Sequence, residues 1–131
     1  MTESVGRRRS LAVVAVVLAG GSGERVGASL PKQFLRLAGK PVLQHTLEVF
    51  ERSPRVDAVV VVAPRAHLER TRDVVRALGV CKVLDVVPGG DVRRESTRRG
   101  LEALVSRGIA ECKVLVHDAV RPLLDERIID D

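Results

Sequence analysis

Tryptophan and tyrosine are absent from this 131-residue chain, and phenylalanine occurs only twice. A core must therefore be built from aliphatic side chains, which a hydrophobic content of 45% can supply. Binding of single-stranded nucleic acid relies on aromatic platforms for the bases. With almost none available, the net charge of +5, from 22 basic and 17 acidic residues, suits a small polyanionic ligand better than RNA or DNA, although mildly basic proteins without such a ligand are common. The positive charge is also not gathered into one long tract. A general nucleic-acid binder stands as the lesser alternative, marked by salt-sensitive binding.

Cysteine is scarce as well. Cys81 and Cys112 lie far apart without metal-ligand spacing, and they read as reduced packing residues of a cytoplasmic protein. The apolar run at residues 11–18 is too short to cross a bilayer. It follows Arg7, Arg8 and Arg9 in the manner of a secretory signal, but a glycine-rich stretch comes next instead of a cleavage site. The expectation is a buried first strand behind a disordered basic tail of residues 1–10, with no membrane partner. There is no internal repeat and no low-complexity tract, and the length allows one domain at most.

What is present alternates. Residues 11–18 and 56–63 are apolar without a period of two, as in strands covered on both faces. Residues 81–87 and 113–117 predict two further strands. Between them lie helical patterns. Gly39-Lys40-Pro41 reads as a turn, with Pro41 suited to the first helical position. Val42, Leu43, Thr46, Leu47, Val49 and Phe50 then form a stripe that Ser53-Pro54 ends. A charged helix over 65–78 turns Leu68, Val74, Val75 and Leu78 inward and closes at Gly79. A third helix covers 93–107, and Asp125 caps a last short one. The order predicts an α/β fold, a mostly parallel Rossmann-like sheet with helices on both faces and right-handed crossovers.

Residues 18–33, LAGGSGERVGASLPKQ, organise the chain. A strand runs into Gly20, Gly21 and Gly23, with Arg25 and Lys32 beyond. Glycine lets backbone N–H groups approach an anion, and the two cations add full charge. The P-loop is excluded, because no lysine followed by Ser or Thr closes the loop. The dinucleotide fingerprint fails at Val26. Two later stretches also follow strands: residues 89–101, GGDVRRESTRRGL, and residues 116–122, VHDAVRP. In open α/β sheets ligands bind beyond the carboxyl ends of the strands, so the three stretches should share one rim. Each has a bland reading beside the functional one: a strand-to-helix turn for the glycines, a solvated helix face for Arg93, Arg94, Arg98 and Arg99, and a cap for Asp91, Ser96 or Asp118.

Together the three stretches resemble the cytidylyltransferases that act on polyol phosphates, those of 2-C-methyl-D-erythritol 4-phosphate in isoprenoid synthesis and of ribitol 5-phosphate. The resemblance covers nearly the whole chain after the tail. It implies a nucleotide-diphospho-sugar transferase type of fold and transfer of CMP from CTP, with Mg²⁺, to a polyol phosphate, most simply 2-C-methyl-D-erythritol 4-phosphate. It further implies that Arg25 and Lys32 are the catalytic cations, and that Ala19 and Gly20 line the nucleoside. Gly21 and Gly23 would give backbone contacts to phosphate. Gly90, Asp91, Arg93 and Ser96 would read the pyrimidine, Ala119 would pack near the ribose, and Asp118 would bind the metal, which needs only one or two carboxylates besides phosphate oxygens. Arg121 either holds its loop or reaches phosphate. No base is required, because the acceptor is already an anion, so His117 is read as structural. His45 and His67 are read as packing or surface residues.

Some positions depart from the pattern. Leu18-Ala19-Gly20-Gly21 replaces the isoprenoid enzyme's Pro-Ala-Ala-Gly and is closer to the ribitol enzyme and to sugar-nucleotidyltransferases broadly, Val120 leans the same way, and Thr97 replaces a valine. None removes a charge, so they blur the acceptor and leave the reaction class intact. The sequence stops at Asp131, about half way through the family pattern. Residues 11–131 thus read as the amino-terminal, nucleotide-binding part of one domain. The dimer arm of the homodimeric full-length family, most of the acceptor site, a second metal aspartate and a late lysine would lie beyond. A non-catalytic CTP-binding fragment is the alternative that this supports.

Overall fold

The computed structural model describes residues 13–19, 32–79, 81–109 and 111–119. The basic tail, the glycine segment and the helix expected from Asp125 lie outside them. The elements in order are β1 (Val13–Leu18), a 3-10 turn (Lys32–Phe34), β2 (Arg36–Leu37), β3 (Lys40–Pro41), α1 (Val42–Arg52), β4 (Ala58–Ala63), a 3-10 turn (Arg65–His67), α2 (Leu68–Leu78), β5 (Val83–Pro88), α3 (Arg93–Ser106) and β6 (Lys113–Asp118).

Four strands form one parallel sheet in the order β5-β4-β1-β6. The apolar runs are central for the reason expected. Every residue of β4, and Val14 to Leu18 of β1, is buried, because both faces of the sheet are covered. Side chains alternate between the faces. Ala15, Val17, Val59 and Val61 meet Leu43, Leu47 and Phe50 of α1, with Leu68, Val74, Val75 and Leu78 of α2 against the same cluster. Val14, Val16, Val60 and Val62 meet Ala103 and Leu104 of α3. The result is a three-layer α/β fold, as the alternation of elements implied.

Gly100 sets how closely α3 approaches the sheet. A Cβ there would stand 2.6 Å from Val16 Cγ1 and 3.1 Å from Val62 Cγ2. Gly100→Ala is expected to lower stability by about 1–2 kcal/mol. The overpacking outweighs a helix-propensity gain of about 1 kcal/mol. A urea midpoint that falls at constant m-value would show this, whereas a rise would mean that the helix simply moves out.

Three local expectations are corrected. The segment before α1 is a short antiparallel hairpin in which Arg36 pairs with Pro41 and Leu37 with Lys40. Ala38 and Gly39 turn it with φ of 54° and 82°, the positive pair that tight hairpins favour. Pro41 precedes the helix, which starts at Val42. The strand expected from Cys81 is β5, and it starts at Val83, because the Cys81 and Lys82 amides donate to the Glu51 carboxylate at 3.2 and 3.1 Å. Lys82 Nζ in turn donates to Ser53 O at 2.5 Å and Phe50 O at 3.3 Å, closing the end of α1. Finally, α3 is preceded by Val92, with no side-chain cap, so neither Asp91 nor Ser96 caps it.

The hairpin is tied to α1 by Lys40 Nζ, which donates to both Glu48 oxygens at 3.0 and 3.1 Å, with Gln44 Nε2 at 3.2 Å. Burial alone would raise the Glu48 carboxyl. The hydrogen bonds from Lys40 and Gln44, with the charges of Lys40 and His45, outweigh it and hold it below its usual 4.5. A carboxyl depressed in the folded state adds stability above its unfolded value and loses it as pH falls through the folded one. This tie therefore weakens in acid below about that pH.

Candidate functional site

The strand order reverses once. From β1 the chain steps to β4 and β5 on one side, then returns to lay β6 on the other. Between β1 and β6 lies the switch point where such sheets open a crevice at their carboxyl ends. Register brings Leu18 level with Asp118 there.

The ladder runs one residue past three strands. Ala19 N donates to Val62 O at 2.7 Å, Ala119 N to Leu18 O at 3.0 Å and Gly89 N to Ala63 O at 2.8 Å. Gly89, Ala63, Ala19 and Ala119 thus succeed one another along the rim. Ala19 and Ala119 are both 0% exposed, so the ends of β1 and β6 are closely packed into the fold. Asp118 is half-buried at the end of β6.

The turn after β5 is closed by α3. Ser96 Oγ accepts from Gly90 N at 3.1 Å and lies 3.5 Å from Gly90 O. Glu95 Oε1 accepts from Asp91 N at 3.1 Å. A Cβ at Gly90 would displace the Glu95 side chain, and at Gly89 it would stand 2.6 Å from Ser96 Oγ and 3.0 Å from Val62 Cγ1. Gly90, Asp91 and Ser96 are therefore brought together, with Arg93 exposed at the first turn of α3. Glu95 was not singled out by sequence. The signal was its place three residues after the residue that precedes the helix, from which acidic side chains reach back to free amides.

Lys32 opens the 3-10 turn. The next residue, Gln33, is wholly buried and donates from Nε2 to Ala19 O at 2.9 Å. Phe34 follows under Arg70, whose guanidinium carbon lies 5.3 Å from the ring centroid, and beside His67 at 5.7 Å. The end of the glycine segment is thereby anchored against β1 and α2. Gly20, Gly21, Gly23, Arg25 and Arg121 lie outside the described residues. His117 packs edge-on to Phe50, with ring centroids 5.5 Å apart, and His45 Nε2 meets Leu37 O at 2.5 Å.

The rim suits a ligand that is read by backbone and small polar groups. Among the described residues no group of three His, Cys, Asp or Glu could hold a metal by itself. A single carboxylate such as that of Asp118 would suit a divalent cation only where phosphate oxygens completed its shell. Among the same residues no helix is long and apolar enough to cross a membrane.

Known proteins resemble this one closely. The sequence model of the family described as IspD: 2-C-methyl-D-erythritol 4-phosphate cytidylyltransferase matches residues 13–131. A ribitol-5-phosphate cytidylyltransferase of Lacticaseibacillus paracasei is 37% identical over 119 residues, 91% of this chain and 51% of that protein. A 2-C-methyl-D-erythritol 4-phosphate cytidylyltransferase of Geobacter metallireducens is 44% identical over 120 residues, 91% and 52%. Among solved structures, a 4-diphosphocytidyl-2C-methyl-D-erythritol synthase of Anaerococcus prevotii superposes with a TM-score of 0.71 at 25% identity, over 92% of this chain and 48% of that one. The chain spans about half the length of the curated relatives it matches.

Proposed function

The chain belongs to the 2-C-methyl-D-erythritol 4-phosphate cytidylyltransferase family, and from that premise we propose that it carries the nucleotide half of a reaction moving CMP from CTP to a polyol phosphate. A phosphate oxygen of the acceptor attacks the α-phosphorus of CTP. The bond from that phosphorus to the bridging oxygen breaks, and pyrophosphate leaves with the electron pair. No proton has to be removed from the acceptor, so the work is positioning and charge neutralisation.

The observation that carries the reading is the convergence of Ala19, Gly89-Gly90 and Asp118-Ala119 on one rim at the switch point. In this reading Ala19 and Gly20 line the nucleoside, and Ala119 packs near the ribose. Gly90, Asp91, Arg93 and Ser96 read the pyrimidine, with Ser96 also shaping the turn. Gly21 and Gly23 give backbone donors to the phosphates, and Arg25 and Lys32 neutralise the charge that builds on the departing group. Asp118 would hold Mg²⁺, which when bound supplies charge compensation across the phosphates. 2-C-Methyl-D-erythritol 4-phosphate is the preferred acceptor. Ribitol 5-phosphate is the second reading, favoured by the Lacticaseibacillus relative.

The test is pyrophosphate release by the purified chain with CTP and Mg²⁺, each acceptor being offered separately. Release with one acceptor names it. Asp118→Asn is expected to cut that release by about 10²-fold or more, as loss of a group that stabilises transition-state charge does. CTP binding without release from either acceptor would leave a nucleotide-binding fragment. Absence of CTP binding would remove the proposal.

A further inference from the structure

Among the described residues four polar side chains are buried: Gln33, Thr46, Ser53 and Thr71. Two serve their own neighbourhood. Thr71 Oγ1 donates to His67 O four residues back, and Ser53 Oγ accepts from Arg55 N. The other two reach across the fold, and both end at the rim. Gln33 Nε2 donates to Ala19 O at 2.9 Å, and Thr46 Oγ1 donates to Ala119 O at 3.0 Å from 73 residues away in sequence.

The targets are alike. Ala19 and Ala119 each stand one residue beyond a strand, and their N–H groups already extend the ladder to Val62 and Leu18. Gln33 and Thr46 take up the carbonyls where the ladder stops, so each alanine is held at both polar atoms. Burying a polar side chain is costly unless it is bonded, and an aliphatic residue would fill either space without that cost. What the polar residue adds is a fixed direction for the chain as it leaves β1 and β6. Gln33 does more, because it follows Lys32 directly. One amide ties the residue before segment 20–31 to the residue pair after it. Catalysis by positioning loses steeply with displacements of about 1 Å, so such a tie bears on function as well as on folding.

We propose that Gln33 and Thr46 are positioning residues of the nucleotide rim, setting Ala19, Lys32 and Asp118-Ala119 relative to one another. The proposal rests on the cytidylyltransferase reading above. It is tested on the full chain by calorimetric titration with CTP and Mg²⁺, alongside thermal unfolding, for Thr46→Val, Thr46→Ser and Gln33→Met. Lys82→Met serves as the comparison, because its bonds lie at the opposite end of the sheet. Thr46→Val and Gln33→Met are expected to weaken CTP about tenfold, the affinity equivalent of one lost hydrogen bond. Thr46→Ser, which keeps the hydroxyl, should stay within about twofold of the parent, and Lys82→Met should lower the melting temperature without changing CTP affinity. Parental affinity in both Thr46→Val and Gln33→Met would overturn the proposal. So would a loss in Lys82→Met that matches theirs at equal destabilisation. If Gln33→Met does not fold, the Thr46 pair decides alone. A parent chain that does not bind CTP would instead overturn the functional reading, and this proposal with it.

Discussion

Replacing Lys32 by alanine is expected to lower pyrophosphate release by about 10²–10³-fold, the range for removing one group that stabilises transition-state charge. The expectation comes from where the residue stands. It opens the turn whose next residue is fastened to Ala19 and whose Phe34 is packed under Arg70. Lys32→Arg separates charge from shape. Arginine keeps the charge but presents a planar fork in place of a compact ammonium group, so partial activity would show that the site needs a point charge. The decisive measurement is the split between kcat and KM. A fall in kcat with KM nearly unchanged places the lysine on the reacting phosphate. A rise in KM alone would assign it to ground-state binding, and an unaltered rate would remove it from the site.

The second large effect falls on stability. Phe50→Ala is expected to cost about 3–5 kcal/mol, out of the roughly 5–15 kcal/mol that holds a domain folded. Phe50 is only 1% exposed and joins α1 to the sheet face formed by β1 and β4. It is one of two phenylalanines in a chain without other large aromatic rings, so its neighbours have little bulk with which to refill the space. Its ring also meets His117, next to Asp118. The loss should therefore be felt at the rim, with CTP affinity falling alongside the denaturation midpoint. Phe50→Leu, which restores most of the volume, should recover the larger part of both. A change in midpoint below about 1 kcal/mol equivalent would mean that the helix collapses onto the gap.

The fold was legible where a physical signal repeats along the chain. Unbroken valine runs marked β1 and β4, the stripe from Leu43 to Phe50 marked α1, and Ser53-Pro54 and Gly79 marked the ends of α1 and α2. The hairpin at residues 36–41 was not legible, because two-residue strands carry no period and Ala38 gives no sign that it will take a positive φ. The start of β5 was misplaced because its amides are claimed by Glu51, a residue about thirty positions earlier. The site divides in the same way. Gly90 and Ser96 were grouped only through the family resemblance, and the structure shows them bonded across one turn, six residues apart. Gln33 stood in a recognised motif without a role. Thr46 was visible only as a hydroxyl on an otherwise apolar stripe, because its partner is 73 residues distant.

The strand order has a consequence for how this polypeptide reaches its native state. Val13 pairs with Lys113, so the central strand stays without its second neighbour until about a hundred further residues have been made. β1, β4 and β5 can associate earlier across shorter spans. The β1–β6 ladder carries the largest loop-closure entropy and should form late. On a chain emerging from the ribosome, the pairing of Leu18 with Asp118 is then among the last features to appear. Any ligand that binds only molecules with the closed ladder would stabilise the completed fold by mass action.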